Sequence, residues 1–130
     1  MDAQSAPILV IDDDPDFCEY VEIILRAEGY SVVTASSAEQ GRARMEECCP
    51  RLVIADVMMS YVLDGWSIGR EVKADPRWSH VPVIMVSAIV SHPDDPLFPA
   101  IPEGTFDAFL SKPLNPDTLM ETVRALAPQG

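Results

Sequence analysis

Two buried strands predicted from the sequence end in carboxylates. Residues 52–55 are consecutive apolar residues, typical of a parallel strand covered on both faces, and Asp56 follows them directly. The apolar run Ile8–Ile11 is followed in the same way by Asp12–Asp14. Because the carboxyl ends of parallel strands meet at one edge of a sheet, we expect these carboxylates to converge if the strands are neighbours. Two carboxylates about 4 Å apart repel by roughly 4 kcal/mol at an effective dielectric constant near 20, so the group must take up protons or bind a cation.

Two further predicted strands end in polar residues that suit the same site. Ser87 follows the apolar residues 81–86, and Lys112 lies just after the short strand 106–110. Carboxylates, a hydroxyl and an ammonium in one crevice resemble a phosphoryl site, where cations neutralise the phosphate oxygens. The chain has two lysines, and the other one, Lys73, lies in a predicted helix. We therefore expect Lys112, at a strand end, to have more than a surface role.

Alternating strands and helices are needed to bring these residues together. Strands are predicted at residues 8–11, 30–35, 52–56, 81–86 and 106–110, and helices ending near residues 28, 48, 74 and 126. This alternation implies a parallel sheet with right-handed crossovers. We therefore predict an α/β protein: a single-domain, doubly wound, five-stranded parallel sheet with helices on both faces.

Three helices have N-terminal signals in the sequence. Asp14-Pro15 and Asn115-Pro116 each combine a capping side chain with a proline at the first helical position. Ser36 is followed three residues later by Glu39, which is the spacing of a capping box. We therefore expect Ser36 and Glu39 to cap the second helix together.

The composition favours a globular protein over a membrane protein or a nucleic-acid-binding one. With 130 residues and 48% hydrophobic content, we expect one domain over residues 1–130. No apolar run approaches the roughly 20 residues of a membrane span, and the first residues lack the positive charge of a signal peptide, so we expect a cytoplasmic protein. The net charge is −12 and the nine basic residues are scattered, which argues against nucleic acid as a direct partner. Three cysteines favour reduced thiols.

The motifs, taken in order, resemble the receiver domain of two-component response regulators, the CheY-like family. The matching stretches are residues 9–15, 54–59, 64–65, 82–88 and 112–113. Each stretch alone is weak, but all of them in this order, from Ile8 to about Leu126, make a highly specific signal. The resemblance implies a flavodoxin-like sheet with strand order 2-1-3-4-5.

The same resemblance implies a role for each residue of the site. Asp56 would be the phosphoacceptor, contacted by the hydroxyl of Ser87 and the ammonium of Lys112. The switch residues would be Ser87 and Phe109. Mg²⁺ would be held by Asp12, Asp13, Asp56 and the backbone carbonyl of Met58. Oxygen ligands suit Mg²⁺, and a lysine serves as a point charge beside phosphate.

The partners implied by the resemblance are signalling proteins. The phosphoryl group would come from a histidine kinase or a histidine phosphotransfer domain, and an output domain or a downstream protein would respond to it. A homodimer is also compatible with the resemblance. The protein would promote its own phosphorylation and dephosphorylation without being a dedicated turnover enzyme.

One alternative is a receiver-like interaction module that is never phosphorylated. Ser60 stands where the family usually has proline, and the interval from Asp56 to Asp64 is one residue longer than usual. This altered loop lies beside the predicted metal ligands. Because the acidic residues, Ser87 and Lys112 are all present, we favour phosphorylation.

Residues 91–104 occupy the place of a receiver's fourth helix but contain regularly spaced prolines, at every third position from Pro93 to Pro102. A proline inside a helix costs about 3 kcal/mol. The three prolines that follow Pro93 would therefore cost about 9 kcal/mol together, which is comparable with a domain's stability of about 5–15 kcal/mol. The spacing matches polyproline II. We therefore expect the fourth helix to be replaced or shortened, and the signal to be transmitted through this loop or through another face.

Overall fold

The computed structural model describes residues 6–56, 64–87, 106–112 and 114–127. Its strands are β1 (Ile8–Ile11), β2 (Val32–Ala35), β3 (Leu52–Asp56), β4 (Val83–Ser87) and β5 (Ala108–Ser111). Its helices are α1 (Pro15–Ala27), α2 (Ala38–Cys48), α3 (Asp64–Ala74) and α4 (Pro116–Leu126). All strand pairs are parallel, in the order β2-β1-β3-β4-β5. The predicted fold class and strand order are confirmed.

Three strands begin two residues later than the sequence predicts. The apolar pattern includes Tyr30 in β2, Val81 in β4 and Phe106 in β5, but none of them is part of its strand. Tyr30 donates its backbone N–H to the carbonyl of Leu25 at the end of α1, and Val81 donates to Trp78 in the preceding turn. These backbone groups close helix ends and turns, so they are not available to the sheet. The bounds of β1, β3 and α4 are as predicted.

Side chains cap the starts of three helices. The Asp14 carboxylate accepts from the N–H of Asp16 and caps α1, and the Asn115 side chain caps α4 in the same way. The capping of α2 differs from the prediction by one residue. The hydroxyl of Ser37, not Ser36, accepts from the N–H of Gln40, and the side-chain Oε1 of Gln40 accepts from the N–H of Ser36. Adjacent serines satisfied the same spacing, so the pattern alone could not select between them.

Helices cover both faces of the sheet, as the sequence predicts. One face packs against α1 and α4, and we call this cluster the α1–α4 core; its members include Ile8, Val10, Val21, Leu25, Leu119 and Val123. The other face packs against α2 and α3 and forms the α2–α3 core, whose members include Leu9, Ile11, Met45, Val53, Val72 and Met85. Alternation along β1 sends successive side chains into the two cores. The sheet is thereby buried on both faces, as its continuous apolar strands require.

Three sequence predictions fall outside the described residues. These are the backbone carbonyl of Met58 as a metal ligand, the altered loop between Asp56 and Asp64, and the proline-rich segment of residues 91–104 in place of a fourth helix. Within the part of the chain that the structure describes, no helix is both long and apolar enough to cross a membrane.

A partly exposed ion pair joins α3 to the amino-terminal end of β5. The Lys73 ammonium lies 2.7 Å from the Asp107 carboxylate and donates to the carbonyl of Val81 at 2.9 Å. Asp107 also accepts from the N–H of Val83 through its side chain and donates its own N–H to the Val83 carbonyl, each at 2.8 Å. Lys73 therefore has a structural role that its helical position did not indicate.

Gly41 lets α2 approach the sheet directly beneath the acidic end of β1. A Cβ atom at this position would lie 2.6 Å from Cδ1 of Ile11 and 3.2 Å from its Cγ1. Ile11 is fully buried and directly precedes Asp12. A larger residue at position 41 must therefore displace a side chain at the base of the site.

We predict that Gly41→Ala lowers the free energy of unfolding by about 1 kcal/mol, because overpacking of about 1–3 kcal/mol exceeds alanine's helix-propensity gain of about 1 kcal/mol. In an Ile11→Val background, which lacks Cδ1, the same change should be neutral or stabilising. Urea denaturation of the four proteins of this cycle measures both effects. Equal effects of Gly41→Ala in the two backgrounds would contradict the contact.

Candidate functional site

The polar residues predicted from the strand ends lie along one edge of the sheet. Ile11 of β1 pairs with Ala55 of β3, so that Asp12 and Asp56 are at adjacent positions. Ser87 ends β4 and pairs with Ser111 of β5. Lys112 follows directly and donates its N–H to the Ser87 carbonyl at 2.8 Å. Because the four strands are parallel neighbours, the sheet presents all of these residues at its carboxyl edge.

Lys112 bridges the two buried carboxylates at this edge. Its Nζ lies 2.7 Å from Oδ2 of Asp12 and 3.2 Å from Oδ2 of Asp56. The Asp12 side chain has no exposed surface, and the exposed fractions are 11% for Asp56 and 18% for Lys112. Truncating one member of such a group would leave an uncompensated buried charge. The lysine therefore offsets the repulsion that the sequence implies between these acids.

Burial and neighbouring charges act in opposite directions on the pKa values of Asp12 and Lys112. Burial of the Asp12 carboxylate raises its pKa, although the hydrogen bonds from Lys112 and from the backbone of Asp14 act to lower it. Desolvation acts to lower the pKa of Lys112, but the hydrogen bond to Asp12 and the attraction of Asp56 outweigh it and raise the pKa. The ammonium is therefore cationic at neutral pH.

The described residues include one cluster of acidic side chains with the geometry of a cation site. One carboxylate oxygen each from Asp12, Asp13 and Asp56 lies within 4.8 Å of the others. Asp13 is exposed, whereas only 1% of Asp12 and 8% of Asp56 is exposed. The neighbouring Asp14 uses its carboxylate to cap α1. A set of carboxylate oxygens, partly open to water, is the donor set that Mg²⁺ prefers.

The two residues predicted as a switch lie on the neighbouring strands β4 and β5. Ser87 is 4% exposed and lies at the same edge of the sheet as Asp56. Phe109 is paired with Met85 in the sheet, two positions before Ser111, and its ring centroid is 6.1 Å from that of Phe106. Both rings pack against the α2–α3 core. The structure therefore brings Ser87 to the site and Phe109 to one face of the sheet.

Sequence reasoning missed three residues of α1 that contact the site or the segment after it. The Phe17 ring lies beneath the Lys112 ammonium, with 4.2 Å from Nζ to the ring centroid. The thiol of Cys18 donates to the Asp12 carbonyl at 3.5 Å, and burial raises its pKa to about 11. The Tyr20 hydroxyl donates to the Leu114 carbonyl at 2.9 Å. Residue spacing along a helix carries no information about contacts so distant in sequence.

Comparison with known proteins decides the family. The family model described as the response regulator receiver domain matches residues 8–124 of the chain, which include every strand and nearly all of α4. The chain belongs to the response regulator receiver domain family. The resemblance deduced from the motifs is thereby confirmed, as is the function as a receiver domain of two-component signalling. Receiver domains of this family are signalling domains that work with histidine kinases.

Full-length response regulators are among the relatives of this receiver domain. The DNA-binding response regulator MtrA of Mycolicibacterium smegmatis is 34% identical over 125 residues, which are 96% of this chain and 52% of MtrA. The transcriptional regulatory protein GlrR of Escherichia coli is 36% identical over 124 residues, 95% of this chain and 26% of GlrR. The chain thus spans about half or less of these relatives, and the DNA binding in the name of MtrA is a property of that protein.

A solved structure has the same fold as this receiver domain. The signal receiver domain of a signal transduction histidine kinase from Syntrophus aciditrophicus aligns with a TM-score of 0.78 at 29% identity. The alignment covers 93% of this chain and 89% of that one. Receiver domains therefore occur in kinases as well as in regulators, and the fold does not specify the protein that contains it.

Proposed function

We propose that this receiver domain accepts a phosphoryl group on Asp56 from the phosphohistidine of a histidine kinase or a histidine phosphotransfer domain. The observation that carries the proposal is the hydrogen-bonding of Lys112 to both Asp12 and Asp56 beside the exposed carboxylate of Asp13. The protein would act as a phosphoacceptor within a signalling pathway and not as a turnover enzyme. A downstream protein or output domain would respond to the phosphorylated form.

Burial favours Asp56 over its acidic neighbours as the acceptor. Both oxygens of Asp12 accept hydrogen bonds, from the backbone of Asp14 and from Lys112, and its side chain has no exposed surface. Asp13 is exposed to water. Asp56 combines partial access with direct contact to the ammonium. It is therefore the carboxylate that a phosphoryl donor can reach and whose product would be neutralised at once.

The reaction exchanges one bond to phosphorus for another. A carboxylate oxygen of Asp56 forms the new O–P bond while the N–P bond of the donor histidine breaks, and the imidazole leaves with the bonding electrons. The transition state is loose and spreads negative charge over three non-bridging oxygens, so neutralisation supplies most of the catalysis. In this proposal, the Lys112 ammonium contacts one of these oxygens and the Ser87 hydroxyl donates to another. Both residues already lie at the edge of the sheet where Asp56 ends β3.

The acidic cluster fits Mg²⁺ because it offers only oxygen donors at a partly exposed position. We propose that Asp12, Asp13 and Asp56 hold the ion together with the backbone carbonyl of Met58, which lies outside the described residues. The bound ion would neutralise phosphoryl oxygens that Lys112 alone does not reach.

We further propose that Ser87 and Phe109 transmit the signal. The ends of β4 and β5 are joined by the pairing of Ser87 with Ser111 and by the N–H that Lys112 donates to Ser87. A phosphoryl group that draws the Ser87 hydroxyl towards it would therefore pull on both strands. Phe109 lies on β5 and packs against the α2–α3 core, so it is placed to respond.

We predict that Asp13→Ala weakens Mg²⁺ binding by about tenfold or more while the fold is retained, because a ligand is lost from an exposed position. Isothermal titration calorimetry with Mg²⁺ alone measures the affinity. The matched control is Asp16→Ala, which removes the same charge from an exposed position in the first turn of α1. Equal affinities of the two variants would contradict the metal role of Asp13.

We predict that incubation with acetyl phosphate and Mg²⁺ adds the mass of one phosphoryl group, and that Asp56→Asn abolishes the addition. Intact mass spectrometry measures the label. Asp16→Asn makes the same substitution outside the cluster and should keep the label. Label that persists in Asp56→Asn would refute the acceptor assignment, and no label with any donor would favour the unphosphorylated interaction module.

A further inference from the structure

The Lys112 ammonium has a third contact besides its two carboxylates. An ammonium carries three N–H donors, and Asp12 and Asp56 accept two of them. The face of the Phe17 ring lies against the ammonium, 4.2 Å from Nζ to the ring centroid. This distance is well within the range of a cation–π interaction, which strengthens when the cation is removed from water. Only 18% of the Lys112 side chain is exposed.

The Phe17 ring is held by its own packing. It is partly buried and packs against the α1–α4 core. It lies in the first turn of α1, which is capped by Asp14, and the N–H of Asp14 donates to Oδ1 of Asp12 at 2.9 Å. The ring and the Asp12 carboxylate therefore belong to one short, hydrogen-bonded stretch of chain. Lys112 approaches this stretch from the opposite end of the sequence.

One turn further along α1, Tyr20 contacts the chain just beyond Lys112. Its hydroxyl donates to the carbonyl of Leu114 at 2.9 Å, and Leu114 is 7% exposed. Residues three apart on a helix share a face, and Phe17 and Tyr20 contact Lys112 and Leu114 respectively. The first residue contacts the tip of the Lys112 side chain, and the second contacts the backbone two residues later.

We propose that Phe17 and Tyr20 are positioning residues for Lys112 that hold its ammonium where the phosphoryl oxygens arrive. This inference rests on the proposed phosphorylation of Asp56. A lysine stem has four carbons and many rotamers, so an ammonium held only by its hydrogen bonds to carboxylates loses entropy when it contacts the transition state. A ring and a backbone anchor on the same rigid helix remove that freedom before the reaction begins.

The Phe17 part is tested by replacing Phe17 with mono-, di- and trifluorinated phenylalanine. Fluorination keeps the shape of the ring and weakens the electrostatic attraction of its face for a cation. The maximal rate of phosphorylation by acetyl phosphate should fall in steps, by about 3- to 10-fold in total. The concentration of acetyl phosphate at half-maximal rate should change less. The matched control is trifluorination of Phe106, a ring packed on the other face of the sheet, which should leave the rate unchanged.

The outcomes distinguish this inference from the proposed function. A parent protein that takes no label contradicts the phosphorylation of Asp56 itself. A labelled parent whose maximal rate is unchanged by trifluorination of Phe17 contradicts only the positioning role.

A second measurement does not require phosphorylation. Phe17→Leu and Lys112→Met form a double-mutant cycle in which urea denaturation measures the folding equilibrium constant. Phe17→Leu should lower the folding equilibrium constant in both backgrounds. The factor by which it lowers that constant should be about 3- to 10-fold smaller when Lys112→Met is also present. Additive effects would overturn the contact between ring and ammonium.

The Tyr20 part has a control within the chain. Tyr30 also donates its hydroxyl to a backbone carbonyl, that of Ala127 at 2.8 Å, but this contact lies at the end of α4. Tyr20→Phe should lower the maximal phosphorylation rate several-fold, whereas Tyr30→Phe should lower stability and leave the rate unchanged. Equal rates in the two variants would overturn the positioning role of Tyr20.

Discussion

The structure depends on the charge balance around one ammonium. Asp12 and Asp56 are buried side by side because β1 and β3 are adjacent and in register, and their repulsion would be costly without a cation between them. Lys112 supplies that cation from β5, two strands away from β3. The carboxyl edge of the sheet therefore holds together only when β1, β3 and β5 are all in place. The same balance is what an incoming phosphoryl group would alter.

In the α/β architecture, the charge balance around Lys112 depends on the sheet and its two cores and not on most of the surface residues. Parallel strands deliver their final residues to one edge, while the α1–α4 and α2–α3 cores hold the sheet from both sides. The helix that follows the acidic strand end has a second function, since the face of α1 that packs on the core also meets Lys112 through Phe17. Packing and site geometry are thus supplied by the same side chains.

Much of this arrangement was predictable from local patterns in the sequence. The runs ending in Asp12, Asp56 and Lys112 each combine apolar residues with an abrupt polar end, and parallel strands translate that pattern into proximity. The predicted first residues of β2, β4 and β5 were wrong because an apolar residue such as Tyr30 can close a helix end instead of joining the sheet. The contact of Phe17 was not predictable, since spacing along a helix identifies a face and not the residue that the face will meet.

The ion pair of Lys73 with Asp107 has a consequence for how this sequence can vary in length. Asp107 makes two contacts to Val83 and one to Lys73, which fix the beginning of β5 against β4. A strand rises about 3.3 Å per residue, so one inserted residue between Asp107 and Lys112 would carry the ammonium beyond hydrogen-bonding reach of Asp12. Residues gained or lost before Asp107 would not change that interval. A change in chain length between β4 and Asp107 would therefore leave the distance from Asp107 to the site unchanged.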